Sequence, residues 1–213
     1  MLLPTNGATY TLGQNIDDAI NWLSAGTKKT MANVYYSIPG QSLVTVIPGT
    51  VNADDAPLHE NKRQWRPDFI DLVNPSEQAR LVVATDSGSY TGYSETFTAR
   101  GIKLTRPSVG TWVDVGTPQN ITWIEAGIDV GAKGNFYLSL DGGSNWLGSS
   151  LIGAPTWAGD STIQVWNVDS TLNPTTNALM RMHIFDSPTV ADINYQSYSK
   201  AFTLRGMKVL SPV

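Results

Sequence analysis

The chain has 213 residues, of which 41% are hydrophobic and 15% charged; it has seven Trp, eight Tyr and no cysteine, and its formal net charge is −4. Such apolar and aromatic content excludes a disordered chain, and the lack of cysteine excludes disulfides, thiolate zinc sites and a cysteine nucleophile. No basic block offers a phosphate-neutralising nucleic-acid surface, and no apolar run approaches the ~18 residues that span a bilayer as a helix, so neither nucleic acid nor membrane insertion is expected. Met1-Leu2-Leu3-Pro4 shows neither the basic nor the apolar part of a secretory leader. The expectation is a mature or excised segment, a virion protein or a cytosolic one.

In chain order the local period is two. The one segment with helical character, Asn15 to Ser24, is read as strand, because its later counterpart from Pro118 to Glu125 is rich in Thr and Ile and begins with Pro. Val34, Tyr36 and Ile38 alternate with Tyr35 and Ser37, and Pro39-Gly40 ends the run. Leu81-Val82-Val83 is a further strand. The second half alternates in the same way. Phe136, Leu138 and Leu140 alternate with Tyr137 and Ser139, Ile163-Gln164-Val165-Trp166 follows, and Met180, Met182 and Ile184 alternate with Arg181, His183 and Phe185. Turn residues cluster between them, as in Asp141-Gly142-Gly143 and Asn173-Pro174. Lys62-Arg63-Gln64-Trp65-Arg66 reads as a solvated strand face beside one core Trp.

The halves are copies. Gly7-Ala8-Thr9-Tyr10-Thr11-Leu12-Gly13 returns as Gly110-Thr111-Trp112-Val113-Asp114-Val115-Gly116, Ile20-Asn21-Trp22 as Ile121-Thr122-Trp123, and Phe97-Thr98-Ala99-Arg100-Gly101 as Phe202-Thr203-Leu204-Arg205-Gly206. The offset drifts from 103 at the first glycine to 101 at Trp22 and 105 at Phe97, as small loop insertions between shared strands would produce. Each copy is about 100 residues, enough to bury its own core. Short strands at roughly 8–12-residue spacing predict an all-β chain of two tandem antiparallel β-sandwich domains, residues 1–103 and 104–206. Residues 207–213 repeat the opening of the chain, since Val209-Leu210-Ser211-Pro212 matches Leu2-Leu3-Pro4. They are read as the first strand of a following module or as a strand that pairs between molecules.

Leu3-Pro4-Thr5-Asn6-Gly7-Ala8-Thr9-Tyr10-Thr11-Leu12-Gly13 followed by Ile20-Asn21-Trp22-Leu23-Ser24-Ala25-Gly26 resembles the opening of bacterial extracellular immunoglobulin-like or fibronectin-III-like repeats, of the type SPNGGETWTVGS…ITW…SG. The second copy continues the likeness through Ile121-Thr122-Trp123, Val165-Trp166-Asn167-Val168 and the closing Phe202-Thr203-Leu204. The resemblance implies that the two sandwiches are immunoglobulin-like, and that the chain is a spacer, surface-layer part or adhesive stalk at the cell surface. Copy one departs from it in the middle, where Ile38-Pro39-Gly40-Gln41 lacks an Asp-Gly-Gly turn and Pro48 to Arg66 is longer and more charged.

Ser139-Leu140-Asp141-Gly142-Gly143-Ser144-Asn145-Trp146 fits the Asp-box pattern S-x-D-x-G-x-x-W. Glycine supplies positive φ, Asp bonds the turn amides and Trp packs beneath, which is a structural hairpin. Trp22, Trp65, Trp123 and Trp166 recur at equivalent places and are expected in the cores. Trp112, Trp146 and Trp157 occur in copy two alone, with Tyr195 and Tyr198 near its last strand, and are candidates for stacking on a glycan. Asp54, Asp55, His59 and Glu60, or Asp160, Asp169, Asp186 and Asp192, could supply oxygen ligands to calcium, but no spacing requires it, and no cofactor is expected. His59 and His183 lack motif-spaced partners, so the chain is expected not to be an enzyme. Asn120-Ile121-Thr122 is a sequon beside a core strand.

The function expected is a non-catalytic extracellular structural module, acting as a spacer or as a subunit of a surface fibre. Its partners would be copies of itself or neighbouring modules, met through a strand of Met207, Lys208, Val209, Leu210 and Ser211. The alternatives are a carbohydrate-binding or adhesion module that meets a cell-surface glycan, and a phage or virion structural component.

Overall fold

The computed structural model describes residues 4–13, 16–24, 31–52, 59–65, 73–85, 90–148, 151–152, 162–186 and 195–208. Among these, fifteen β-strands and no helix form the regular structure. The all-β class read from the alternation is what the structure shows, and the segment with helical character is a strand over Ile16–Ser24. No helix of the described residues is long and apolar enough to cross a membrane. The chain forms two compact units: Met1–Gly101 with Glu125–Gly127, and Ile102–Ile124 with Ile128–Val213.

The first unit contains β1 (Thr9–Thr11), β2 (Ile16–Ser24), β3 (Met31–Ser37), β4 (Val44–Asn52), β5 (His59–Trp65), β6 (Ser76–Thr85), β7 (Thr91–Tyr93) and the start of β8 (Phe97–Arg106). β3 pairs antiparallel with β4 and β6, β6 continues to β7 and β8, and β1 joins β8 in parallel. β2 and β5 pair separately, antiparallel. Strand alternation places Val34 and Tyr36 inward, where with Ile20, Trp22, Leu81 and Phe97 they form the core. Burying the Tyr36 phenol pushes its pKa up, and its hydroxyl donates to the Asn74 carbonyl at 2.7 Å, so the polar tip is satisfied.

The second unit contains the later half of β8, then β9 (Trp112–Asp114), β10 (Pro118–Ala126) as far as Ile124, β11 (Lys133–Ser139), β12 (Ile163–Asn167), β13 (Thr175–Asp186), β14 (Tyr195–Tyr198) and β15 (Phe202–Arg205). Neighbours run β12-β10-β8 in one sheet and β11-β13-β15-β9 in the other, with β14 also on β13. This partition places β8, β10 and β12 in one sheet and β11, β13 and β15 in the other, as in an immunoglobulin-like sandwich. Ile121, Trp123 and Trp166 from one sheet meet Phe136, Met180 and Phe202 from the other, and the Trp123 and Phe136 rings lie 5.7 Å apart. Of the recurring Trp residues, Trp22, Trp123 and Trp166 are buried as expected; the Trp65 side chain lies outside the described residues.

The copies also share fine detail. Gly7 and Gly110 both have φ of 73°, in turns where Ala8 N bonds Thr5 O and Thr111 N bonds Ser108 O. A buried serine interrupts the last strand of each unit. Leu81 N donates to Ser94 Oγ at 2.9 Å while Ser94 N donates to Leu81 O; Met180 N and Ser199 Oγ repeat the pair at 2.9 Å, with Ser199 N donating to Met180 O. The serine stands in for a ladder residue as the strand passes from β7 to β8, or from β14 to β15.

Candidate functional site

In the second unit, the outward positions of β11, β13 and β14 are set by register. Tyr137 opposes Arg181, which opposes Tyr198; one step along, Asn135 opposes His183, which opposes Gln196. Each lies between buried neighbours: Phe136 and Leu138 on β11, Met180, Met182 and Ile184 on β13, and Tyr195 and Ser197 on β14. The inward residues therefore fix the strands, and the outward ones form a flat grid.

A turn lays one more ring on this grid. Asp141 Oδ1 accepts from Ser139 Oγ and from Asn145 N, both at 2.8 Å, and Asp141 Oδ2 accepts from Asn145 Nδ2 at 2.6 Å. These bonds hold the Asp141 pKa down, at about 2. Gly142 and Gly143 have φ of 74° and 93°, and a Cβ on Gly142 would collide with the Asn177 side chain, so the turn is built as the Asp-box pattern implies. Its Trp, however, reaches beyond the hairpin. Trp146 is half-buried on the outer face, 4.7 Å from the Arg181 guanidinium carbon and 5.9 Å from the Tyr198 ring.

Arg181 is thus held between two rings, with Tyr137 at 4.6 Å and Trp146 at 4.7 Å. Its Nε is buried without a hydrogen-bond partner. Each cation–π contact stabilises by about 0.5–2 kcal/mol, and a buried unpaired donor costs about 1–3 kcal/mol, so the sandwich gains little stability from being an arginine. The tyrosine hydroxyls are fixed: Asn135 Nδ2 donates to Tyr137 OH at 3.1 Å, and Tyr198 OH donates to Gln196 Oε1 at 2.7 Å. The alternation marked Arg181 as outward but did not mark it as the centre of a cluster.

Trp112 is 65% exposed. The Arg205 guanidinium carbon lies 5.1 Å from its ring, and Arg205 grips Asp114 through two bonds, Nε to Oδ1 at 2.6 Å and Nη2 to Oδ2 at 3.0 Å. The hydrogen bond and charge of Arg205 lower the Asp114 pKa, and Asp114 raises that of Arg205. The matching pairs in the first unit are Thr9 with Thr98 and Thr11 with Arg100, so both the ring and the carboxylate belong to copy two. Trp157 lies outside the described residues. Tyr195 is buried and Tyr198 half-buried.

Among the described residues the remaining candidates are not brought together. The His183 ring meets Phe185 edge-on at 5.9 Å, and the side chains of His59, Glu60 and Asp186 lie outside the described residues, as do Asp54, Asp55, Asp160 and Asp192 altogether. Asp169 caps a turn by accepting from Thr171 N and Oγ1. Among the described residues no group of three His, Asp or Glu could hold a metal ion. A groove of about 570 Å³ in the first unit is lined by Ser37, Pro39, Gln78, Arg80, Tyr93 and Thr96. One of about 210 Å³ in the second involves Arg106, Gln119, Asn120 and Trp166. Among the described residues neither lining holds a carboxylate or a histidine. Met207 is 98% exposed, and Lys208 Nζ donates to Asn173 Oδ1 at 2.6 Å. Neither belongs to a strand, and Val209, Leu210 and Ser211 lie outside the described residues.

No protein-family model matches the chain, and no curated protein matches its sequence. Solved structures similar to it include fibronectin(III)-like modules of CbhA from Clostridium thermocellum, at 13% identity and a TM-score of 0.29, covering 99% of this chain and 97% of that one. A marsupial T cell receptor matches at 13% identity and a TM-score of 0.30, over 97% and 73% of the two chains. The N-terminal four Ig domains of Dscam1 isoform 6.9 match at 8% identity and a TM-score of 0.27, over 92% and 43%. Scores this low carry no argument about what the chain does; the fold stands on its own strand pairing.

Proposed function

We propose that the chain is a non-catalytic structural module of an extracellular, surface-exposed assembly, serving as a spacer or as a fibre subunit joined through its terminal strand. The observation that carries this reading is where the polar chemistry is spent. Ser139, Asp141 and Asp169 hold turns, Ser94 and Ser199 hold strand breaks, and Asp114 is closed by Arg205. The fibre version is supported by the exposed Met207, which follows an ordered last strand and starts the stretch that repeats the chain's opening. Removing residues 207–213 and measuring mass by light scattering over a concentration series tests it. Association in the intact chain that the truncation abolishes is expected. Association of equal strength in both removes the terminal strand from the proposal.

The exposure of Trp112 favours a second reading, a carbohydrate-binding module. An open indole beside a carboxylate–guanidinium pair offers a C–H stacking face with a hydrogen-bonding acceptor and donor next to it. A glycan array probed with the intact chain and with Trp112→Ala should show hits that the variant loses; an array without hits contradicts this reading.

A further inference from the structure

We infer that the outward face of β11, β13 and β14 in the second unit binds a carboxylate-bearing sugar, with Arg181 taking the carboxylate and the rings around it taking the pyranose. The chain supplies its own control. In the first unit Tyr35 opposes Val82, which opposes Tyr93, so the same tyrosine pair flanks a valine where the second unit has Arg181. Val82 is 3% exposed, which shows that a branched apolar side chain fills this place in the fold. Arg181 brings a buried Nε without a hydrogen bond, and packing does not require it.

What the arginine adds is an unspent charge. Among the described residues it meets two rings and no carboxylate. No Asp or Glu occupies the outward positions of β11, of β14 or of β13 between Leu179 and Phe185, and Asp141, in the adjoining turn, is committed to Ser139 and Asn145. A guanidinium held against two rings has already lost much of its rotational freedom, so its fork meets a carboxylate at little further entropic cost. Tyr137 OH accepts from Asn135, which leaves its own proton to donate. The half-buried Trp146 and Tyr198 flank the charge with ring surface. A carboxylate alone would use the fork and leave the rings idle; a uronic acid uses both. Trp112 and its Arg205–Asp114 pair have no part in this site.

The test is calorimetric titration of the intact chain with a hexasaccharide of alternating glucuronic acid and N-acetylglucosamine, beside its carboxyl-reduced form, sodium acetate and a Glu-rich peptide. Saturable binding of the acidic hexasaccharide is expected. Binding should weaken about tenfold or more for the reduced form and for Arg181→Val and Arg181→Gln, and acetate at equal carboxylate concentration should not compete. Arg181→Val should keep its circular dichroism, since Val82 already fills the matching place; if it does not, Arg181→Gln decides. Any of four results overturns the inference: no binding of the acidic hexasaccharide, equal binding of the reduced form, undiminished binding by the Arg181 variants, or tighter binding of the peptide. Loss in Trp112→Ala with retention in Arg181→Gln assigns the sugar to the Trp112 face and likewise overturns it.

Discussion

Asp141 is a buttress whose state depends on pH. Two backbone or side-chain donors of Asn145 and the Ser139 hydroxyl favour its charged form, which is why its pKa lies at about 2 instead of near the usual 3.9 or so. A folded-state pKa below the unfolded value means that its contribution is fully present above about pH 4 and disappears as pH falls toward 2. The turn that carries Trp146 should therefore be indifferent to mild acid and loosen below about pH 3. A carboxyl ¹³C titration by NMR should give Asp141 a midpoint about two units below that of an ordinary aspartate; an ordinary midpoint contradicts the turn as described. Trp146 shows how far a motif reaches. The pattern S-x-D-x-G-x-x-W led to the hairpin and to its aspartate, but the ring settled on Arg181, a contact fixed by a strand far away in the chain.

At the scale of elements, alternation was a sufficient guide wherever a strand has one wet face. Val34 and Tyr36 on β3, Phe136 and Leu138 on β11, and Met180, Met182 and Ile184 on β13 are all buried as their period demands. The repeat rescued β2, whose own sequence has helical character. Less was legible where geometry comes from register. The Tyr137–Arg181–Tyr198 row requires two strand pairings that no local pattern encodes. The serine breaks were within reach: Ser94 and Ser199 share the offset of 105 that relates Phe97 to Phe202, yet a single serine in a polar stretch draws no attention until its hydroxyl is seen bonding a buried amide. Replacing Ser94 or Ser199 by alanine leaves the amide of Leu81 or Met180 without its partner. Each substitution should cost about 1–3 kcal/mol. Urea melts of the two variants should agree with each other, and a change below about 0.5 kcal/mol in either would contradict the role assigned to the serine.

Across the whole molecule, duplication divides the labour among its aromatic residues. Trp22 and Trp123 occupy equivalent core places, and Trp166 fills the second core at a position that Trp65 shares in sequence. The tryptophans confined to copy two and described by the structure lie elsewhere: Trp112 is exposed and Trp146 rests on the outer sheet face. Shared rings hold the cores and the unshared rings among the described residues lie outside them, and a paired urea unfolding of Trp166→Ala and Trp112→Ala tests this division most directly. Truncating the buried ring should cost about 3–5 kcal/mol, a shift of roughly 1–3 M in urea midpoint, whereas truncating the exposed ring should stay within about 0.5 kcal/mol of the parent. Comparable losses in the two variants, or a larger loss for Trp112→Ala, would contradict it.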